Sequence, residues 1–241
     1  MDKKRLEGYA NNLRNSLGFP SDMPISIHHI LKKKNIQAYF HPLDKNLLGM
    51  AVKQIDEERH ISRLFMMINT EQNYDVQRFT AGHELYHLLY QESNSQSFED
   101  FLMSKNDVEE KSADYFSQCL LLPAAGIKKY LNDKGYSKLG IAEVLALEHD
   151  FRSGHNITLG RLLDLGYIDT GAHDSLKAMN IREKAAEYGY PKVLYVPTQK
   201  VELVSDYNVK ARQLFDMGMI SQAKYFSILG DMNIEMDYGE K

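Results

Sequence analysis

Two histidines four positions apart, with a glutamate directly after the first, carry the chemistry in this sequence: His83-Glu84-Leu85-Tyr86-His87. On a helix, positions i and i+4 share a face, so His83 and His87 can present their imidazoles to one metal ion. Glu84 then lies beside that ion without ligating it, placed to exchange protons with water. The chemistry implied is metal-assisted hydrolysis with Glu84 as general base. A catalytic zinc site needs a third protein ligand and one open position. Downstream, Glu109 and Glu110 open a second helical stretch, and Glu110 and Asp114 are again four apart. Glu110 is the expected third ligand. Asp114 is expected to accept a hydrogen bond from the far ring nitrogen of a ligand histidine. Glu109 is the rival ligand, on the face it shares with Ala113, Phe116 and Leu120, while Glu92 and Glu99 lie in a polar loop. A third histidine six residues past the motif, preceded by a glycine, is excluded because Tyr90 and Ser93 stand at those places. One zinc ion per chain is expected; manganese also suits two imidazoles and a carboxylate.

These side chains need elements to hold them. Helical period runs from Tyr74 to Tyr90 and again from Asp107 to about Pro123, with a polar loop between them. Ahead lie three short apolar runs, 36–40, 47–52 and 61–68, separated by polar turns. They read as an antiparallel meander, and 61–68 as an edge on which an extended substrate adds a strand. Helices are expected at 3–17 and from about Ile25, behind Ser21 and Asp22, to Asn35. Past Pro123 the pattern is helical at 124–133, 139–149, 157–165, 173–187, 200–217 and 221–229, with a short strand at 193–196. The fold class is α+β: a small antiparallel sheet packed on helices, with a mainly helical C-terminal region. The expected divisions are 1–130, a helix-turn-helix-like extension at 131–170, and a helical region at 171–241.

The 241 residues carry a formal charge of −4, which argues against a broad nucleic-acid or membrane surface. Cys119 is the only cysteine, so no internal disulfide forms, and it sits in an apolar run as a core thiol. No stretch approaches the roughly 18 continuous apolar residues of a membrane span, and the amphipathic residues after Met1 do not read as the apolar core of a signal peptide. A cytoplasmic protein is expected. The competing class is a non-catalytic metal-binding regulator: a DNA-binding or metal-sensing protein that uses a helix-turn-helix at 139–168, or a degenerate peptidase that binds a repressor without cutting it, against which the presence of Glu84 weighs. There Glu143, Glu148, Asp150, Asp164 and Asp169 outnumber Lys138, Arg152 and Arg161, the reverse of what a groove-reading helix needs. His28 and His29 read as a solvated basic face. His149 and His155 flank a loop and read as bystanders. Tyr74, Tyr86, Tyr90 and Tyr115 are candidates, by residue type, for a donor to the developing oxyanion.

The run from Arg78 through His83-Glu84-Leu85-Tyr86-His87 to Leu89, followed by Glu110-Lys111-Ser112-Ala113-Asp114 and on to Pro123, resembles the ImmA/IrrE family of metallopeptidases. The strand ending Met67-Ile68-Asn69 and the stretch Ile220 to Gly230 look like that family too. Four positions depart from its pattern: Gly82 and Ser117 stand where alanine is usual, Tyr86 replaces glycine, and Asp114 replaces asparagine. None removes a ligand or the base. The resemblance implies a gluzincin-like, that is zincin-like, fold in residues 1–130. It also implies proteolysis of a helix-turn-helix repressor encoded beside the peptidase on phage or other mobile DNA, which would relieve repression.

Overall fold

The computed structural model describes residues 1–56, 61–91 and 107–231. Helix α1 (Lys3–Ser16) is capped by the Asp2 carboxylate, which accepts from the Arg5 amide, and buries Leu6, Ala10 and Leu13. Helix α2 (Ile27–Lys33) starts two residues later than its apolar pattern alone suggests, because Ser26 caps it. Four strands follow the order β2-β3-β1-β4, with β1 at Ile36–His41, β2 at Gly49–Asp56, β3 at Ile61–Asn69 and β4 at Glu202–Val204. Alternation directs Ile36, Ala38, Phe40, Ala51, Met66, Ile68 and Val204 into the core beneath the sheet.

The α+β class holds, but the sheet is mixed rather than antiparallel. Only β2 and β3 form the expected hairpin, Gly49 pairing with Ile68. Strand β1 runs parallel to β3, from Ile36 against Leu64 to His41 against Asn69, so the chain between β1 and β2 crosses the end of β3. Asn69 holds that crossing. Its fully buried amide donates to the carbonyls of Asp44 (2.8 Å) and Leu47 (2.7 Å) and accepts from the amides of Leu43 and Glu71. A side-chain amide that satisfies four backbone groups leaves no mark on hydrophobic periodicity. A further consequence is that β3 has a neighbour on each side and offers no free edge; the edge strands among the described residues are β2 and β4.

The helices that carry the candidate site are α3 (Tyr74–Leu89) and α4 (Asp107–Leu121). Then come α5 (Ala124–Lys134), α6 (Ile141–Phe151), α7 (His155–Asp164), α8 (Thr170–Lys177) and α9 (Ile181–Glu187). The helix expected over 173–187 is thus two, broken at Met179-Asn180. The strand expected at 193–196 is a 3-10 turn, Lys192–Tyr195, because the consecutive residues Leu194 and Tyr195 are both buried, which strand alternation forbids. The segment expected to begin a helix at 200 first forms β4 on β1, Ala38 opposite Val204; only then do α10 (Tyr207–Asp216) and α11 (Gln222–Asp231) follow. Among the described residues no helix is long and apolar enough to cross a membrane.

Candidate metal centre

Helix α3 is buried on nearly every side, which is why it reads as apolar with little amphipathic bias. Its first turn is tied to the C-terminal region: the Tyr74 amide donates to the Val196 carbonyl, and Arg182 donates to the Asn73 side chain. One turn on, the buried Arg78 guanidinium donates to the carbonyls of Arg152 (2.8 Å) and Ile25 (2.9 Å). These bonds fix the helix axis. Its rotation against α4 is set by Gly82, where a methyl group would collide with Ser117, whose hydroxyl instead donates to the Phe79 carbonyl at 2.7 Å. The two departures from the ImmA/IrrE pattern at 82 and 117 therefore meet in space, and the volume lost at one is taken up by the other.

On that scaffold His83, His87 and Glu110 converge, their potential ligand atoms all within 4.8 Å of one another. The two Nε2 atoms lie 3.0 Å apart. Glu110 places Oε2 3.3 Å from His83 Nε2 and Oε1 3.7 Å from His87 Nε2. Behind the rings, Asp114 Oδ1 stands 2.8 Å from His83 Nδ1, and Gln91 Oε1 2.5 Å from His87 Nδ1. A carboxylate and an amide oxygen can only accept, so each Nδ1 carries a proton and Nε2 is the nitrogen turned to the point of convergence, the one whose lone pair would bind an ion. Two imine nitrogens and a carboxylate facing one point suit a divalent ion such as zinc.

Electrostatics divides the two rings. Burial disfavours the charged form of His83, but Asp114, Glu84 and Glu110 outweigh it, and its pKa is raised. His87 is lowered, by burial first and then by the neighbouring His83, against the pull of Gln91. Glu84 is 7% exposed and accepts no hydrogen bond among the described residues. Burial pushes its carboxyl up to about 7, against the charge of His83 and with help from that of Glu110.

The structure thus brings together His83, His87, Glu110 and Asp114, with Glu84 alongside. Glu109 stands outside the cluster, its Oε2 accepting from the Tyr86 hydroxyl at 3.0 Å. Glu92 and Glu99 lie outside the described residues. Gln91 was not singled out in the sequence, although it stands four residues after His87, because the helical pattern ends at Tyr90. Three of the four tyrosines have hydroxyls engaged elsewhere, Tyr86 on Glu109, Tyr90 on the Tyr9 carbonyl and Tyr115 on Asp164, and the Tyr74 ring lies under the Arg78 guanidinium at 5.9 Å. Cys119 is fully buried and its thiol is pushed up to about 12, first by burial, as suits a core residue. His28 stacks on Phe40 and pairs with Glu202, holding α2 to β4.

Residues 31–159, just over half of the chain and including every residue of the cluster, match a family model described as the IrrE N-terminal-like domain of Peptidase M78. No curated protein matches the chain. A solved structure described as a Mycobacterium tuberculosis transcriptional regulator is similar with a TM-score of 0.44 and 12% identity, over 66% of this chain. The similar part is 46% of that protein, so this chain spans less than half of its length.

Proposed function

We propose, for a chain that belongs to the IrrE N-terminal-like domain family of Peptidase M78, a zinc-dependent endopeptidase whose substrate is a helix-turn-helix repressor. The observation that carries this reading is the convergence of His83 Nε2, His87 Nε2 and Glu110 on one point, beside a buried glutamate that accepts no hydrogen bond among the described residues. When bound, a divalent ion supplies Lewis acidity, activating water and polarising the scissile carbonyl. His83, His87 and Glu110 would hold it, with manganese accepted by the same donors. Asp114 and Gln91 keep each ring in the tautomer that leaves Nε2 free. Glu84 takes the proton of the attacking water on its carboxylate and delivers it to the leaving amine nitrogen. Its burial, which raises its carboxyl pKa in the metal-free protein, opposes the charge of a bound ion and so favours a base that can both accept and release a proton.

The outer edge of β2, unpaired among the described residues, supports an extended substrate. Strand β2 lies so close to α3 that a methyl on Gly49 would meet Thr80 Cγ2 at 2.6 Å, one turn before His83 and Glu84. A peptide added to this edge would run beside the metal point, bound through main-chain groups and tolerant of varied side chains. The repressor as substrate rests on the family resemblance of the sequence.

The test uses the purified full chain with bound metal quantified, and a helix-turn-helix repressor encoded next to it as substrate. The wild-type protein should cut the repressor. Glu84→Gln should retain one ion per chain and lose cleavage by at least ~10³-fold, the upper part of the range for a lost general base. Cleavage by Glu84→Gln at the wild-type rate would remove Glu84 from its role. A wild-type chain that never retains metal would end the hydrolytic reading.

A further inference from the structure

The geometry points to Tyr86 as a positioning residue that holds Glu109 off the metal, so that Glu110 serves as the carboxylate ligand and the fourth position stays open. The inference rests on the metal site proposed above. Two adjacent glutamates stand at the start of α4, and both are partly buried near the histidine rings. Glu110 faces both Nε2 atoms, whereas Glu109 is turned to the phenol of Tyr86, 3.0 Å from its hydroxyl. Tyr86 precedes the ligand His87, and the two rings meet edge to face at 5.8 Å. The same phenol ring packs on Phe116 of α4 at 5.8 Å and on Tyr90 at 6.5 Å. One side chain thus bridges the two ligand-bearing helices at the level of the ligands and supplies the donor that occupies the second glutamate.

The chemistry makes that donor matter. A catalytic site keeps one position of the ion for water and substrate. A partly buried carboxylate without a donor is costly and is drawn to the nearest positive charge. The charge of Glu109 is already felt at His87, so an ion held by that ring lies within reach of its attraction. With the phenol hydroxyl gone, Glu109 turns to the ion and closes the open position. Four protein ligands with no open position is the coordination of structural rather than catalytic zinc sites, whatever the ligand types.

Cobalt(II) bound to the full chain reads this directly, because its visible absorption depends on the number and type of its ligands. Tyr86→Phe keeps the ring and its packing and removes only the hydroxyl. It should alter the cobalt spectrum and reduce cleavage of the repressor by about tenfold, the low end for partners that orient metal sites. Tyr86→Phe combined with Glu109→Gln should return both readouts to within about twofold of wild type, since an amide is a poor ligand for the ion. Glu109→Gln alone should leave the cobalt spectrum as in wild type. A Tyr86→Phe spectrum identical to wild type would overturn the inference. So would a defect that Glu109→Gln does not repair, which would reduce Tyr86 to a packing role, or loss of cobalt from Glu109→Gln alone, which would make Glu109 a ligand. Failure of the wild-type chain to bind cobalt would instead count against the metal site itself.

Discussion

Two histidine–acid clusters flank α3, one at its second half and one beside its first turn, and they are built to opposite ends. At the metal centre each ring has one nitrogen tied down, to Asp114 or Gln91, and the other aimed at a shared point with Glu110. Near the first turn of α3, His155 Nδ1 lies 2.6 Å from Glu148 Oε1 and His155 Nε2 lies 3.1 Å from the Leu176 carbonyl. Both of those partners can only accept, so both ring nitrogens donate and the ring is an imidazolium. The Tyr195 hydroxyl donates to the remaining Glu148 oxygen at 2.6 Å. Glu148 is wholly buried and His155 6% exposed. The same residue types make a candidate binding site where two ring nitrogens and a carboxylate face one point, and a cross-link where both His155 nitrogens and both Glu148 oxygens have partners. His155, which read in the sequence as a bystander, joins α6, α7, α8 and the 3-10 turn at their common centre.

The sharpest way to test that contrast is to damage each cluster in turn. Glu84→Gln should lose at least ~10³-fold in cleavage while thermal unfolding stays near wild type. Glu148→Ala should do the reverse. It strips a buried ion pair of one partner, which typically costs about 3–5 kcal/mol. At about 2–4 °C per kcal/mol for a chain of this size, the Tm should drop by roughly 6–20 °C. Cleavage per folded molecule should stay close to wild type. A Glu148→Ala protein that melts like wild type would refute the cross-link.

Next in size is the helix contact beneath the metal centre. Gly82→Ala forces a methyl onto Ser117 and should cost about 1–3 kcal/mol. Adding Ser117→Ala should recover most of that loss, because alanine favours the helix by about 1 kcal/mol over glycine. Two additive losses in this pair, read by denaturant unfolding, would mean that the residues do not share one space.

The smallest effect is in pH. The His155 pKa is raised because Glu148 and the Leu176 carbonyl outweigh burial. A histidine raised on folding stabilises fully below its unfolded value of about 6.5, and that stabilisation is lost as pH climbs through the folded value. Asp75, lifted to about 6 by burial first and then by Glu148, acts in the same direction over a lower window. The wild-type Tm should therefore fall by a few degrees between pH 6 and 9. His155→Gln should start lower at pH 6 and change less over that range. A steeper slope in the variant would contradict the assignment of the proton.

What the sequence disclosed and what it hid follows from the range of each signal. His83, Glu84, His87, Glu110 and Asp114 were legible because they repeat at helical spacing within single elements, and periodicity is local. Gln91 keeps the same spacing but falls past the last helical residue. The pairing of Gly82 with Ser117 was hidden because each is unremarkable alone and only contact between α3 and α4 relates them. The parallel neighbour of β1 was hidden because one asparagine side chain, rather than any pattern, carries the crossing. Strand β4 was hidden because three residues of alternating burial are too few to compete with the helical run that follows.

That late strand has a consequence for synthesis. Ala38 leaves the ribosome long before Val204, and until Val204 arrives one flank of β1 exposes unpaired backbone. A nascent chain in that state can recruit a second nascent chain through the same flank. Its vulnerable interval closes only when the C-terminal third has been translated and folded back across the first.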